Sequence, residues 1–157
     1  MITKNNYTRM IDVVKIFEDK AKADEKKFSY GARMFQSYQV GELQLAPNEE
    51  VIIMFPCRET PQIENGYWSR YRIETQIWMC RKSEDDTYSY IGETEEAKYK
   101  ARLLNLSHQL DEYLKAIFYC NTEYQLNMIS ISYFRELNQL STSIDGASAT
   151  ITFDIWQ

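Results

Sequence analysis

From Tyr99 to Ile117 the apolar residues return every three or four positions: Tyr99, Leu103, Leu106, Leu110, Tyr113, Leu114 and Ile117. Only a helix brings residues so spaced onto one side, so Glu95 to Tyr119 is expected to form one amphipathic helix. Thr94 stands where it caps the start, and Glu95 and Glu96 stand where the helix dipole favours negative charge. About 24 residues at 1.5 Å each make a rod of roughly 36 Å. Such a rod can lie across a sheet of about four strands spaced about 4.8 Å apart.

The material for that sheet is present. Val51-Ile52-Ile53-Met54-Phe55 is an apolar run ending at Pro56 and reads as a central strand buried on both faces. Tyr71, Ile73, Thr75, Ile77 and Met79 alternate with Arg72, Glu74, Gln76, Trp78 and Cys80, the period of a long strand with one polar face. Met128 to Phe134 alternates again, as does Ala149 to Ile155, with Ile144-Asp145-Gly146 before it as a turn. Glu84-Asp85-Asp86 reads as a solvated turn, with Tyr88–Ile91 a short strand continuation. Near the start, Tyr7, Met10, Val14, Phe17 and Ala21 make a helical stripe over residues 7–23. Residues 24–50 lack a sustained period and read as a long loop with one short helix around 32–38; residues 57–67 read as a proline-containing loop ending in Asn65-Gly66. The expected fold is therefore α+β: one domain over residues 1–157, a mainly antiparallel sheet of about four strands, and two amphipathic helices on one face in the order α-β-β-α-β-β.

Composition narrows the function. A net charge of −5 argues against sequence-specific nucleic-acid binding, which calls for a basic surface. No apolar run approaches the length of a membrane span. The amino-terminal residues Met1-Ile2-Thr3-Lys4-Asn5-Asn6 hold no signal-peptide core, so a protein made and kept in a cytosol-like compartment is expected. Cys57, Cys80 and Cys120 are odd in number and far apart, with a single histidine, His108, so they read as small buried apolar residues and not as a metal site. The glycines at 31, 41, 66, 92 and 146 are isolated, leaving no phosphate-binding loop. His108 has Asp111 and Glu112 within one turn, the raw material of a general base, but reads as a surface or boundary residue. The acids at 84–86 and 93–96 fall at a turn and a helix start, where acids need no further reason. No catalytic residue, cofactor site or metal ligand is expected.

What the chain does have is contact chemistry. Tyr occurs twelve times, and its flat apolar body with a polar tip suits interfaces. Tyr67-Trp68-Ser69-Arg70-Tyr71-Arg72 interleaves aromatic and basic residues, the types enriched at interface hot spots. Phe28, Tyr30, Tyr38, Tyr67, Trp68, Arg70, Arg135 and Trp156 are the candidate interface residues, with the segments 24–50, 57–70 and 135–146 as the candidate contact loops.

The element order, with Phe28-Ser29-Tyr30-Gly31 after the first helix, Val51 to Pro56, Tyr71 to Arg81, Ala97 to Phe118 and the ending Asp145 to Ile155, resembles the neck and tail-terminator proteins of tailed bacteriophages, in particular the small ones of Bacteroidetes and crAss-like phages. The likeness covers nearly the whole chain as a pattern, without an invariant motif. It implies a virion structural protein, assembled in the host cytoplasm, that forms a homo-oligomeric ring between portal and tail. Such a ring contacts neighbouring portal, adaptor and tail ring proteins, and genome DNA passes through its lumen without sequence-specific binding. The alternative is a small soluble adaptor or binding protein that acts through its aromatic loops.

Overall fold

A computed structural model of the chain describes residues 9–31, 49–82, 104–119, 126–136 and 144–156. In chain order these form α1 (Arg9–Ala23), β1 (Lys27–Tyr30), β2 (Glu50–Met54), β3 (Arg58–Glu64), β4 (Tyr67–Lys82), α2 (Leu104–Tyr119), β5 (Leu126–Glu136) and β6 (Ile144–Trp156). The six strands make one sheet in the order β1-β2-β4-β6-β5, with β3 also paired to β4. Every pair is antiparallel except β1 with β2.

This corrects the four-strand α-β-β-α-β-β expectation: the sheet is mixed and has two further strands. Both were hidden for physical reasons. β1 has only four residues, all half-buried, too few to show a period. β3 carries Pro61 and three charged residues in its seven, the features of a loop. Yet Pro61 stands in a strand with only β4 beside it among the described strands, and an edge strand tolerates a missing N–H. β2 and β3 share one side of β4, β2 along Ile77–Arg81 and β3 along Tyr67–Glu74. The break between them at Pro56 is stitched to β4. Phe55 N–H donates to the Gln76 carbonyl at 3.0 Å, and the Thr75 hydroxyl donates to the Phe55 carbonyl at 2.8 Å.

The expected turn at Gly146 is also corrected. Gly146 lies inside β6, between Cys80 of β4 and Glu136 of β5, in strand backbone. The turn that does use left-handed backbone is Asn65-Gly66, with φ of 52° and 78°. This is the primed two-residue turn whose twist suits a β-hairpin, and it joins β3 to β4. The candidate elements at residues 32–38, 84–91 and 95–103, with the cap Thr94, lie outside the described residues, as does Cys120.

Helix α1 buries Val13, Ile16, Phe17 and Ala21, with Val14 only partly covered, so its inward face is turned from the expected stripe toward Val13 and Ile16. It ends in a cap that satisfies its last carbonyls. Lys26 N–H donates to the Ala21 carbonyl and Glu25 N–H to that of Lys22, with Glu25 in the left-handed conformation at φ 57°. Helix α2 buries Leu106, Leu110, Tyr113, Leu114, Ile117 and Phe118. Both helices cover the same face of the sheet, against Ile52, Met54, Ile73, Ile77, Met79, Ile151, Phe153 and Ile155. At the centre Phe17, Tyr113, Phe118 and Phe153 meet with ring centroids 5.1–6.4 Å apart. The Tyr113 hydroxyl, buried there, donates to the Phe17 carbonyl at 2.5 Å and so ties the helices together. On the opposite face Val51, Ile53, Phe55, Trp78 and Cys80 form a second buried cluster, which explains why Val51 to Met54 is apolar at every position.

Candidate interaction surfaces

Three places on the described surface carry side-chain chemistry: the β3–β4 hairpin, the outer strand β5, and a cleft between α2 and β5. β6 pairs with β4 only from Arg70 onward, so among the described strands the turn end of the hairpin, Tyr67 to Ser69, has β3 alone beside it. An extra residue in β4, Ser69, shifts the pairing so that Gln62 faces Arg70 while Ile63 faces Trp68. The bulge puts Ile63 and Trp68 on the face that Tyr71 shares, and the Trp68 and Tyr71 rings meet edge to face at 6.1 Å. Ile63, Tyr67 and Trp68 are 62%, 79% and 56% exposed.

Of the expected interface residues, this hairpin gathers Tyr67, Trp68 and Arg70, and it places Trp156 opposite Arg70 in the strand register. Arg70 is not free for a partner. Its Nε donates to Asp154 Oδ2 at 2.8 Å and its Nη1 pairs with Glu64. Arg72 Nε donates to the other Asp154 oxygen at 3.0 Å. The Asp154 carboxylate is almost completely buried between the two guanidinium groups, a way to keep a charge on the outer sheet face without leaving it unpaired. Phe28 and Tyr30 are not at a surface loop. They lie in β1 and pack against the main core, and the Tyr30 hydroxyl accepts the Cys57 N–H at 3.3 Å. Burial pushes the Tyr30 hydroxyl above its ordinary pKa. Arg135 is a strand position in β5 opposite Ala147, and Tyr38 lies outside the described residues.

β5 was recognisable as an alternating strand, but its place was not. It is an end strand of the sheet, and among the described residues only β6 pairs with it. Ile129, Ile131 and Phe134 are exposed on it, as are Asn127, Ser130 and Ser132. Ile129 is the extra residue of a bulge between Met128 and Ser130. Ile129, Ile131 and Phe134 were missed as surface residues because β-branched and aromatic residues in a strand read as core until the strand order is known, whereas Ile63 lies in the segment expected to be a contact loop.

A cleft of about 260 Å³ between α2 and β5 is lined by Leu104, Ser107, His108, Asp111 and Tyr133. His108 is exposed. Asp111, its nearest acid along the helix, is engaged elsewhere: Lys115 Nζ reaches Oδ2 at 2.7 Å and the Tyr133 hydroxyl donates to Oδ1 at 2.6 Å. The Lys115 and Tyr133 hydrogen bonds hold its carboxyl below the usual carboxylate range. The Ser107 hydroxyl is buried and finds no hydrogen-bond partner among the described residues. Burial pushes the Cys57 thiol up to about 11 and the Cys80 thiol higher still, so neither forms a thiolate near neutral pH. Among the described residues no three His, Cys, Asp or Glu side chains converge as metal ligands, and no helix is long and apolar enough to cross a membrane.

No protein-family model matches this sequence, and no curated protein is similar to it.

Proposed function

We propose that this chain is a structural subunit that assembles with copies of itself into a ring in the neck or tail connector of a tailed-phage particle, between portal and tail. A closed ring needs two unlike surfaces on each subunit, joined head to tail. The observation that carries the reading is where the exposed apolar residues fall. Six of the eight large ones among the described residues are Ile63, Tyr67 and Trp68 on the β3–β4 hairpin and Ile129, Ile131 and Phe134 on β5. Along the hairpin the strands run β3-β4-β6-β5, so the two groups occupy opposite edges of one sheet. Separate patches of this kind mark contact sites. The acidic balance of −5 is compatible with a channel for DNA, since an acidic lining does not hold the phosphate backbone. The ring would meet its portal, adaptor and tail neighbours above and below it, and the particle's neck is its proposed location.

Negative-stain images of the purified protein, and a reconstruction of the particle's neck, test this. Closed rings, and density for this fold between portal and tail, are the expected result. A protein that stays smaller than a ring at all concentrations and is absent from purified particles overturns it. The hairpin by itself favours a second reading, a small adaptor that grips a different protein through Tyr67 and Trp68. In that case Trp68→Ala abolishes capture of one partner and leaves the chain's own mass unchanged.

A further inference from the structure

We infer that β5 is a self-pairing edge, and that two free copies of this chain join through it into a two-fold dimer with one continuous sheet. An end strand presents a row of backbone N–H and C=O groups that another strand can complete, and proteins usually guard it with charge, proline or brevity. β5 has none of these over most of its length. From Leu126 to Phe134 it contains no charged residue, no proline and no glycine, and Asn127 and residues 129–132 and 134 are exposed. The bulge at Ile129 bends one end and leaves Ser130 to Glu136 in regular pairing with β6. The other described edges differ: β3 carries Pro61, Glu59 and Glu64, and β1 is only four residues long.

The partner is a second β5 because the charges of this strand suit antiparallel pairing with itself. Its only charges, Arg135 and Glu136, stand together at one end. Parallel pairing would set each beside its twin, whereas antiparallel pairing sends the two sets to opposite ends. A two-fold axis that keeps the helices of both copies on one side must pass through a residue, because opposite residues in a ladder share a face. Centred on Ser132, the register sets Ile131 opposite Tyr133 of the second copy, twice, on the helix face. These are β-branched and aromatic pairs, worth stabilisation in a ladder. On the outer face Ser130 meets Phe134, and the register carries Arg135 and Glu136 past the bulge at Ile129, away from their twins in the second copy.

The helices allow it. α2 packs over β4, β6 and β5, so its axis lies one strand in from the edge. Two such helices would stand three strand spacings apart, about 14 Å, outside the 8–10 Å of direct helix contact. The space between them is floored by Ile131 and Tyr133 and walled by Leu104, Ser107 and His108 of both copies. The present cleft is half of it. This dimer does not rest on the ring reading. It uses the strand that a ring would also use, so it is the form of the free chain.

Sedimentation equilibrium on the full chain, at concentrations too low for rings to assemble, is expected to give twice 18.7 kDa. Ser132→Cys places two thiols across the ladder at about 4.5–5.5 Å between Cα atoms, within disulfide range. Mild oxidation is expected to link that variant into a dimer and to leave Tyr67→Cys unlinked, with the wild-type chain run alongside to report linkage through native cysteines. Ile131→Lys, a change at an exposed position, is expected to weaken the dimer about tenfold or more with melting unchanged. A monomer at every concentration overturns the inference, and so does a dimer that links through residue 67 and not 132. Rings in the images without a residue-132 link would sink the dimer and keep the ring; a residue-132 dimer that never enlarges and is absent from particles does the reverse.

Discussion

Glu50 shows how one side chain can join four elements. It opens β2 and lies in a nearly closed space, with a side chain 12% exposed. Lys26, just after α1, donates to its Oε2 at 2.6 Å, and Arg81 of β4 donates to Oε1 at 2.5 Å. Gln109 of α2 donates to Oε1 at 3.0 Å and accepts from Lys26 at 2.8 Å. Burial alone would raise the Glu50 pKa, but the hydrogen bonds from Lys26, Arg81 and Gln109 outweigh it and hold the carboxyl below its ordinary value. A carboxyl whose folded pKa is depressed adds stability above its unfolded pKa and loses it as pH falls through the folded one. Glu50→Gln should therefore cost about 1–3 kcal/mol at neutral pH, where two cations lose their partner. Melting curves of both proteins should converge as the pH drops below about 4. A constant gap across that range would show that the charge contributes nothing.

At the scale of elements, the hairpin carries a strong local turn signal inside a segment whose composition is that of a loop. Asn65-Gly66 is among the strongest hairpin signals, yet the charges and Pro61 before it read as a loop. Gly66 has open space around the position of a Cβ, so its constraint is backbone conformation alone. Gly66→Ala should destabilise by about 1–2 kcal/mol in urea titrations, the cost of a side chain in left-handed backbone. An unchanged midpoint would mean that the turn has another conformation in solution. The helices behaved differently. A stripe such as Leu106, Leu110, Tyr113, Leu114 and Ile117 announces itself at any length above two turns. A four-residue strand such as β1 exists because β2 lies beside it, and it has no period of its own to announce. The bulges at Ser69 and Ile129 also follow from pairing, since an extra residue is defined only against the partner strand.

For the whole molecule, the single main core sets the tolerance to change. Leu110 is fully buried between α2 and the sheet. Leu110→Ala should cost about 2–5 kcal/mol, and Leu110→Asp should leave no cooperative melting transition, because the charge has no partner there. A soluble, cooperatively melting Leu110→Asp protein would place that residue elsewhere. The amino-acid order by itself determined the α+β class, the two amphipathic helices, the doubly buried β2 and the long alternating β4. Each of these is a matter of spacing along one segment, and hydrophobic burial acts on that spacing directly. Only the tertiary structure decided that Phe28 and Tyr30 pack against the core, that Arg70 is held by Asp154 and Glu64, and that β5 is an edge. An alternating strand has the same pattern in the middle of a sheet as at its rim. Whether its backbone and outward side chains are covered depends on which strand lies beside it, and that neighbour comes from distant parts of the chain.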